Sequence, residues 1–209
     1  MTLVVSPIKE RHLPAVVDIH LRAFPGFFLT FLGRGFLHEF YRSFCGSQDG
    51  VGLVAVNRES GEVVGFVVGP LHPAGYFKRL LRRRWWAFCL RSLGAVLRRP
   101  RTVSRLMRAL RYRGDAPPEG DRALLSSIAV DPHVQCSGVG RLLVQAFLDK
   151  VREAGLTGAF LTTDQAGNDR VNKFYRDLGW TLEGSYVTPE GRPMNRYVRD
   201  FGCAPVDAI

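Results

Sequence analysis

Leu124 to Gln145 reads LLSSIAVDPHVQCSGVGRLLVQ, an apolar run followed by a short polar loop and a helix-periodic segment. The apolar run ends at Asp131-Pro132, which favours a strand that stops there. In the loop, the spacing Gln135-x-x-Gly138-x-Gly140 lets the backbone approach an anion, and the start of a helix exposes unpaired N–H groups. The stretch therefore predicts strand, loop and helix, with the glycines serving either a phosphate site or only a tight turn.

A second motif lies downstream, with the spacing Asn168-x-x-Val171-x-x-x-Tyr175 and an end at Gly179-Trp180. Together the two motifs resemble the GCN5-related N-acetyltransferase (GNAT) family. Its members carry a Gln/Arg-x-x-Gly-x-Gly/Ala loop after a strand, then an Asn-x-x-Ala-x-x-x-Tyr helix that ends in Gly-Phe. Val171 replaces the usual alanine and Trp180 the usual phenylalanine. The resemblance covers residues 123–180 closely and residues 1–69 and 181–201 more loosely.

The resemblance implies an α/β (α+β) fold with a central mixed, mostly antiparallel seven-stranded sheet, splayed between strands 4 and 5 and flanked by helices. The residue patterns predict strands at 3–8, 51–57, 62–69, 127–130, 158–163, 181–188 and 194–201, and helices at 10–23, 139–154 and 169–178. With 209 residues and 46% hydrophobic content, the chain is predicted to form a single domain, 1–209.

Residues 70–121 form a predicted helical insertion between strands 3 and 4. It contains two amphipathic patterns, 76–97 and 101–112, separated by Pro100. Residues 76–113 hold 13 of the 29 Lys and Arg and no acidic residue, so the net charge of +10 comes from this segment. The insertion suits a lid packed on the core, an electropositive surface for a polyanionic acceptor or the coenzyme phosphates, or a membrane-surface helix at Trp85-Trp86. No nucleic-acid-binding module accompanies the charge, so no specific nucleic-acid partner is expected.

The cysteines and the N-terminal sequence indicate the redox environment and the cellular location of the protein. The four cysteines form no CxxC pair and have no nearby histidine cluster, which predicts reduced thiols and no metal site. The N-terminus lacks a signal-peptide pattern, and the apolar run from Ala23 to Gly33 is interrupted by Pro25 and is too short to span a bilayer. We therefore expect a cytoplasmic protein. Whether it forms a homodimer is not determined by the sequence.

By resemblance, acetyl-CoA is the donor and a primary amine the acceptor, joined in one ternary complex without an acyl-enzyme. The resemblance places the coenzyme pantetheine beside strand 4. A bulge at Ser126-Ser127 would make strand 4 diverge from strand 5 and so make room for the pantetheine. Asn168 would cap the following helix or touch the pantetheine. The pyrophosphate would be bound by residues of the loop and the helix start, namely Gln135, Cys136, Ser137, Gly138, Val139, Gly140 and Arg141. The pantetheine would pair with the strand residues Ile128, Ala129 and Val130.

The resemblance assigns Tyr175 as the general acid that protonates the leaving thiolate, while an N–H near Ile128 or Ala129 polarises the thioester oxygen. No general base stands out. Candidates by residue type, each with an ordinary structural explanation, are Asp164, His133, His72 and Glu39, besides a water relay through Ser126 or Ser127. The aromatic segment from Phe27 to Phe44 either packs the core or forms a wall of the acceptor pocket. His38 and Glu39 are then pocket residues or part of a solvated helix face.

The sequence therefore predicts an acetyl-CoA-dependent N-acetyltransferase that acts on a small-molecule amine, with an amino sugar, nucleotide- or lipid-linked, as the favoured class. One alternative is a peptide or protein amine, which requires an open groove. Another is a non-catalytic acyl-CoA-binding module that keeps the fold but transfers nothing.

Overall fold

The computed structural model of the protein describes residues 2–82, 121–134, 138–189 and 191–202. Its strands are β1 (Leu3–Pro7), β2 (Gly50–Asn57), β3 (Val63–Pro70), β4 (Arg122–Leu124), β5 (Ser127–Val130), β6 (Gly158–Asp164), β7 (Thr181–Val187) and β8 (Pro193–Asp200). Its helices are α1 (Leu13–Ala23), α2 (Gly33–Arg42), α3 (described over residues 76–82), α4 (Val139–Glu153) and α5 (Asp169–Asp177). Short 3₁₀ turns lie at Glu10–His12, Phe28–Leu32 and Pro132–Val134.

The strands form two four-stranded sheets, in the orders β1-β2-β3-β5 and β4-β6-β8-β7. All neighbours are antiparallel except β4 and β6, which are parallel. The predicted mixed, mostly antiparallel sheet with flanking helices is thus confirmed. The number of strands exceeds the predicted seven because the predicted fourth strand, 127–130, is β5 alone, and the residues just before it form an additional strand, β4. This part of the chain is therefore divided between the two sheets.

Two successive amides cause this division. The N–H of Leu125 donates to Phe160 O on β6 (2.9 Å), whereas the N–H of Ser126 donates to Val68 O on β3 (3.0 Å). Val68 is also the register partner of Ser127, so two residues of one strand oppose a single residue of the other. This is a β-bulge, and it confirms the bulge predicted at Ser126-Ser127.

Gly69 allows the strands to come close at this point. A Cβ atom built on Gly69 would overlap the carbonyl oxygen of Leu124, so no side chain fits between β3 and the end of β4. The sheet is therefore held tightly just before it splits, and the two halves diverge only beyond the bulge.

Two apolar clusters cover the two faces of the first sheet, as expected where successive strand residues point to opposite faces. One cluster joins β2 and β3 to α4, with Leu143, Phe147 and Val151 fully buried. The other joins them to α1 and α2, where Phe36, Phe40 and Phe44 are 3%, 5% and 2% exposed. The core-packing interpretation of these three rings is therefore confirmed.

Only the beginning of the predicted insertion lies within the described residues. There, α3 packs Tyr76 and Phe77 against α2, with 6.3 Å between the ring centroids of Phe40 and Phe77. The remainder of the insertion, residues 83–120, lies outside the described residues. In the part of the chain that the structure describes, no helix is both long and apolar enough to cross a membrane.

Candidate active site

A gap opens between β5 and β6 beyond the bulge, and the strand pairing determines which backbone groups face it. The N–H of Asp131 donates to Val64 O (2.8 Å), and hydrogen-bonded pairs alternate along an antiparallel ladder. Ala129 therefore directs its N–H and C=O toward β3. Ile128 and Val130 direct theirs into the gap, where an extended amide chain could pair with them as an additional strand. Of the three predicted pantetheine residues on this strand, Ile128 and Val130 thus face the gap and Ala129 does not.

The start of α4 lies at the open end of this gap. Gly138 occupies the N-cap position with φ +81°, and a Cβ atom built there would meet nothing within 4 Å. The first intrahelical hydrogen bond runs from Leu142 N–H to Gly138 O (3.0 Å), so the N–H groups of Val139, Gly140 and Arg141 have no acceptor within the helix.

The first turn of α4 also contains no acidic residue. Free N–H groups and the positive end of the helix dipole suit a phosphate group. Gln135, Cys136 and Ser137, predicted for the same loop, lie outside the described residues.

Tyr175 lies on α5 and is 5% exposed. Its ring contacts those of Phe174, Trp180 and Tyr197, with centroid distances of 5.2, 5.8 and 6.2 Å. Burial raises the pKa of the Tyr175 phenol above its usual value, because the phenolate would lose its hydration. The hydroxyl is therefore protonated at neutral pH and can act as a proton donor.

The sequence model of the acetyltransferase (GNAT) family matches residues 13–180. The chain belongs to this family. It is accordingly an N-acetyltransferase with acetyl-CoA as its cosubstrate, and the open strand edge and helix start fit that molecule's pantetheine and pyrophosphate.

Solved structures of GNAT proteins share the fold at low sequence identity. The ribosomal-protein-S18-alanine N-acetyltransferase from Escherichia coli is 17% identical, with a TM-score of 0.60 over 100% of this chain and 99% of that chain. The ribosomal-protein-alanine N-acetyltransferase from Brucella melitensis is 16% identical, with a TM-score of 0.63 over 95% and 99%. Arabidopsis thaliana NAA60 in complex with acetyl-CoA is 16% identical, with a TM-score of 0.59 over 95% and 98%. No curated protein sequence matches the chain.

Asn168, the first residue of the GNAT helix motif, does not cap α5 with its side chain, which corrects one of its two expected roles. Its amide instead donates to Thr163 Oγ1 (2.7 Å) and Asp164 O (3.3 Å) at the end of β6. Asn168 therefore attaches the start of α5 to the strand that forms one side of the gap.

Asn172 is a supporting residue that the sequence interpretation missed. It is 4% exposed, and its amide donates to Asp164 O (3.0 Å) and Asn168 O (2.9 Å). Its Oδ1 accepts from Asn195 Nδ2 (3.0 Å) and from the Tyr197 hydroxyl (3.1 Å), both on β8. The available signal was its spacing, since Asn168, Asn172 and Tyr175 fall on one helix face. This network fixes the orientation of the helix that carries Tyr175.

The candidate bases differ in their surroundings. Nη2 of Arg192 donates to both carboxylate oxygens of Asp164 (2.6 and 2.7 Å), and His72 and His133 are exposed. Glu39 is 2% exposed, so the solvated-face interpretation is wrong for this residue, although its neighbour His38 is partly exposed. Glu39 lies near Arg42, at 3.9 Å. Asp164 and Glu39 thus each have an arginine side chain nearby.

Arg192 links two connections near the end of β6. The guanidinium of Arg192, in the β7–β8 turn, lies over the ring of Phe27 between α1 and α2, 5.9 Å from its centroid. The same guanidinium binds Asp164 at the end of β6. Arg192 therefore bridges the α1–α2 connection and the strand beside the gap.

Proposed function

We propose that this GNAT protein transfers the acetyl group of acetyl-CoA directly to the primary amine of a small molecule, with amino sugars as the favoured class. The observation that carries the proposal is the bridge formed by Arg192 between Phe27 and Asp164. A bridge across the acceptor side favours an enclosed pocket over an open groove, and an enclosed pocket suits a small amine better than a polypeptide segment.

The proposed chemistry assigns each described residue a task. The N–H of Ile128 donates to the thioester oxygen, where negative charge develops during attack by the amine. Tyr175 protonates the departing sulfur as the C–S bond breaks and the C–N bond forms, and the proton that the attacking amine loses restores the phenol. Burial raises the pKa of Tyr175, so the phenol is protonated at neutral and mildly basic pH. The N–H groups at Val139, Gly140 and Arg141 hold the pyrophosphate. Acetyl-CoA supplies the activated acyl group.

Phosphate-bearing amino sugars are included because of the charge of the insertion. Residues 76–113 carry 13 basic side chains and no acidic one, which would attract an anionic acceptor. Most of these residues lie outside the described part of the chain, so the anion-binding, lid and membrane-surface interpretations stay predictions. Cytoplasmic location and homodimer formation are likewise predictions.

A thiol-release assay tests the proposal. Purified protein and acetyl-CoA are incubated with amino sugars, nucleotide amino sugars, polyamines, amino acids and peptides, and free coenzyme A is measured. Turnover of a small amine, with product mass increased by one acetyl group, is the expected result. Turnover of peptides alone would refute the substrate class.

A matched pair of arginine variants tests the enclosed pocket. Arg192→Ala should alter the ranking of amines, because it removes the bridge to Phe27. Arg152→Ala is the control, since Arg152 also lies over a phenylalanine ring, that of Phe201 (4.4 Å), and pairs with Asp149 (3.3 Å) on the outer face of α4. Identical amine profiles for the two variants would contradict the pocket assignment.

A peptide or protein amine is the alternative acceptor. The fold is shared with structures described as ribosomal-protein-alanine N-acetyltransferases, which motivates including peptides with N-terminal alanine in the screen. A non-catalytic module would be stabilised by acetyl-CoA yet release no thiol with any amine.

A further inference from the structure

A chain of three polar side chains connects the interior to the bulge. His20 Nδ1 lies 2.6 Å from the hydroxyl of Tyr41, and that hydroxyl lies 3.3 Å from Ser127 Oγ. His20 and Tyr41 are 1% and 0% exposed, whereas Ser127 is partly exposed. The three residues belong to α1, α2 and β5, so the fold brings them together from distant parts of the sequence.

Ser127 occupies a special position at the end of this chain. It is the second residue of the bulge, and the next residue, Ile128, directs its N–H into the gap. Side chains alternate along a strand, so Ser127 lies on the same face as Ala129, which packs in the cluster formed by α1 and α2. Its hydroxyl is therefore next to the start of the gap, on the face that the acceptor-side helices cover.

The hydroxyl of Ser127 keeps hydrogen-bonding capacity in this arrangement. A serine hydroxyl has one proton and two lone pairs, and the contact with Tyr41 uses only one of these three. In either direction of the Tyr41–Ser127 hydrogen bond, at least one lone pair stays free for an N–H group. A buried tyrosine that holds this hydroxyl in one orientation would reduce the entropy lost when the amine binds.

We propose that Ser127 contacts the acceptor and accepts a hydrogen bond from its amine, and that Tyr41 and His20 are positioning residues for the Ser127 hydroxyl. This inference rests on the proposed function, because it needs an amine acceptor. It adds a substrate-binding group on the strand next to the N–H of Ile128.

The chain orients the amine and does not remove its proton. Burial lowers the pKa of His20 to about 4, well below that of an aliphatic ammonium, so His20 is a poor acceptor for the proton of the amine. His20 Nε2 is also buried without a hydrogen-bond partner among the described residues. His20 is therefore neutral and holds the Tyr41 hydroxyl.

Variants of Ser127 test the contact with the amine. Ser127→Ala should lower kcat/KM for the amine by about 5- to 100-fold, the usual effect of losing one hydrogen bond to a polar partner, while the Kd of acetyl-CoA stays the same. Ser127→Thr keeps the hydroxyl and should recover most of the loss. Unchanged kcat/KM in Ser127→Ala, with the wild type active, would refute the inference.

A double-mutant cycle tests the positioning role. If Tyr41 acts only through Ser127, the variant Tyr41→Phe/Ser127→Ala should lose no more activity than Ser127→Ala alone. The positioning role would be overturned if the fold-loss of activity in the double variant equalled the product of the losses in the two single variants. Tyr76→Phe is the matched control, because Tyr76 is buried in the same aromatic cluster, but its hydroxyl interacts with Ser43 and Ser47.

Melting temperatures show whether each variant is folded, and the Ser127 variants alone decide the contact if Tyr41→Phe does not fold. Failure of the proposed function would look different, since the wild type itself would then release no thiol with any small amine.

Discussion

Replacing Tyr175 by phenylalanine should abolish most of the activity without weakening the fold. The ring packs against Phe174 and Trp180, and that packing survives the substitution. The hydroxyl has no hydrogen-bond partner among the described residues, so its loss should change the free energy of unfolding by less than about 0.5 kcal/mol. Loss of a general acid lowers kcat by about 100- to 10,000-fold. Thiol release gives kcat, and thermal unfolding gives the stability.

The neighbouring Tyr197 supplies the contrasting variant. Its hydroxyl donates to Asn172 Oδ1 (3.1 Å) and accepts from Arg176 Nη1 (3.2 Å), and the residue is 0% exposed. Tyr197→Phe leaves buried polar groups with fewer partners, which costs about 1–2 kcal/mol. For a domain of this size, that corresponds to a decrease in Tm of roughly 2–8 °C. Its effect on kcat should be much smaller than that of Tyr175→Phe.

The pH profile adds a second criterion. A phenol is protonated below its pKa, and burial raises the pKa of Tyr175 above its usual value, so the wild type should not lose its acid between about pH 8 and 10. A Tyr175→Phe variant that kept wild-type kcat, or that lowered Tm as much as Tyr197→Phe, would refute the general-acid role of Tyr175.

Three further predictions concern the gap, the coenzyme and the buried histidine. Gly69→Ala should destabilise the fold by about 1–3 kcal/mol, because its Cβ atom meets the Leu124 carbonyl oxygen, whereas Gly184→Ala has open space. Equal urea midpoints for the two variants would contradict this. Acetyl-CoA at about 100 times its Kd should stabilise the protein by about 2.7 kcal/mol, or roughly 5–11 °C in Tm, and the absence of any shift would refute coenzyme binding. Because the pKa of His20 falls from about 6.5 in the unfolded chain to about 4, its contribution to stability should be complete above pH ~6.5 and decrease by about 3 kcal/mol toward pH 4. His20→Asn should flatten this pH dependence, and parallel stability profiles would contradict the assignment.

Local sequence patterns predicted much of the fold because the signals lie within short segments. The glycine-containing loop before α4 is of this kind, since turn glycines mark irregular backbone directly, whereas the bulge at Ser126-Ser127 was expected from the family resemblance. The assignment of strand 4 to two sheets was not predictable in the same way. It depends on Leu125 and Ser126 finding acceptors on β6 and β3, which follow from the packing of the whole domain.

The polar residues that support the site were missed for a related reason. The local sequence does not distinguish Asn172 from other helix residues, because its partners Asn195 and Tyr197 are brought beside it by β8. His20 has the spacing of the apolar face of α1, but its partner Tyr41 lies on another helix. The burial of Glu39 likewise depends on tertiary packing, because the helix pattern alone equally suits an exposed residue.

Two buried hydrogen-bonded networks support elements beside the gap, and they distinguish the fixed geometry of the site from the part that selects the substrate. One runs from β8 through Asn172 to the helix of Tyr175, and the other runs from His20 through Tyr41 to Ser127. Buried hydrogen-bonded groups are costly to unpair, so both networks favour a single geometry. The α1–α2 connection and the β7–β8 turn are linked instead by exposed or partly exposed contacts at Arg192. Differences in acceptor among proteins that share this site should therefore arise in these two connections, while the geometry around the thioester stays constant.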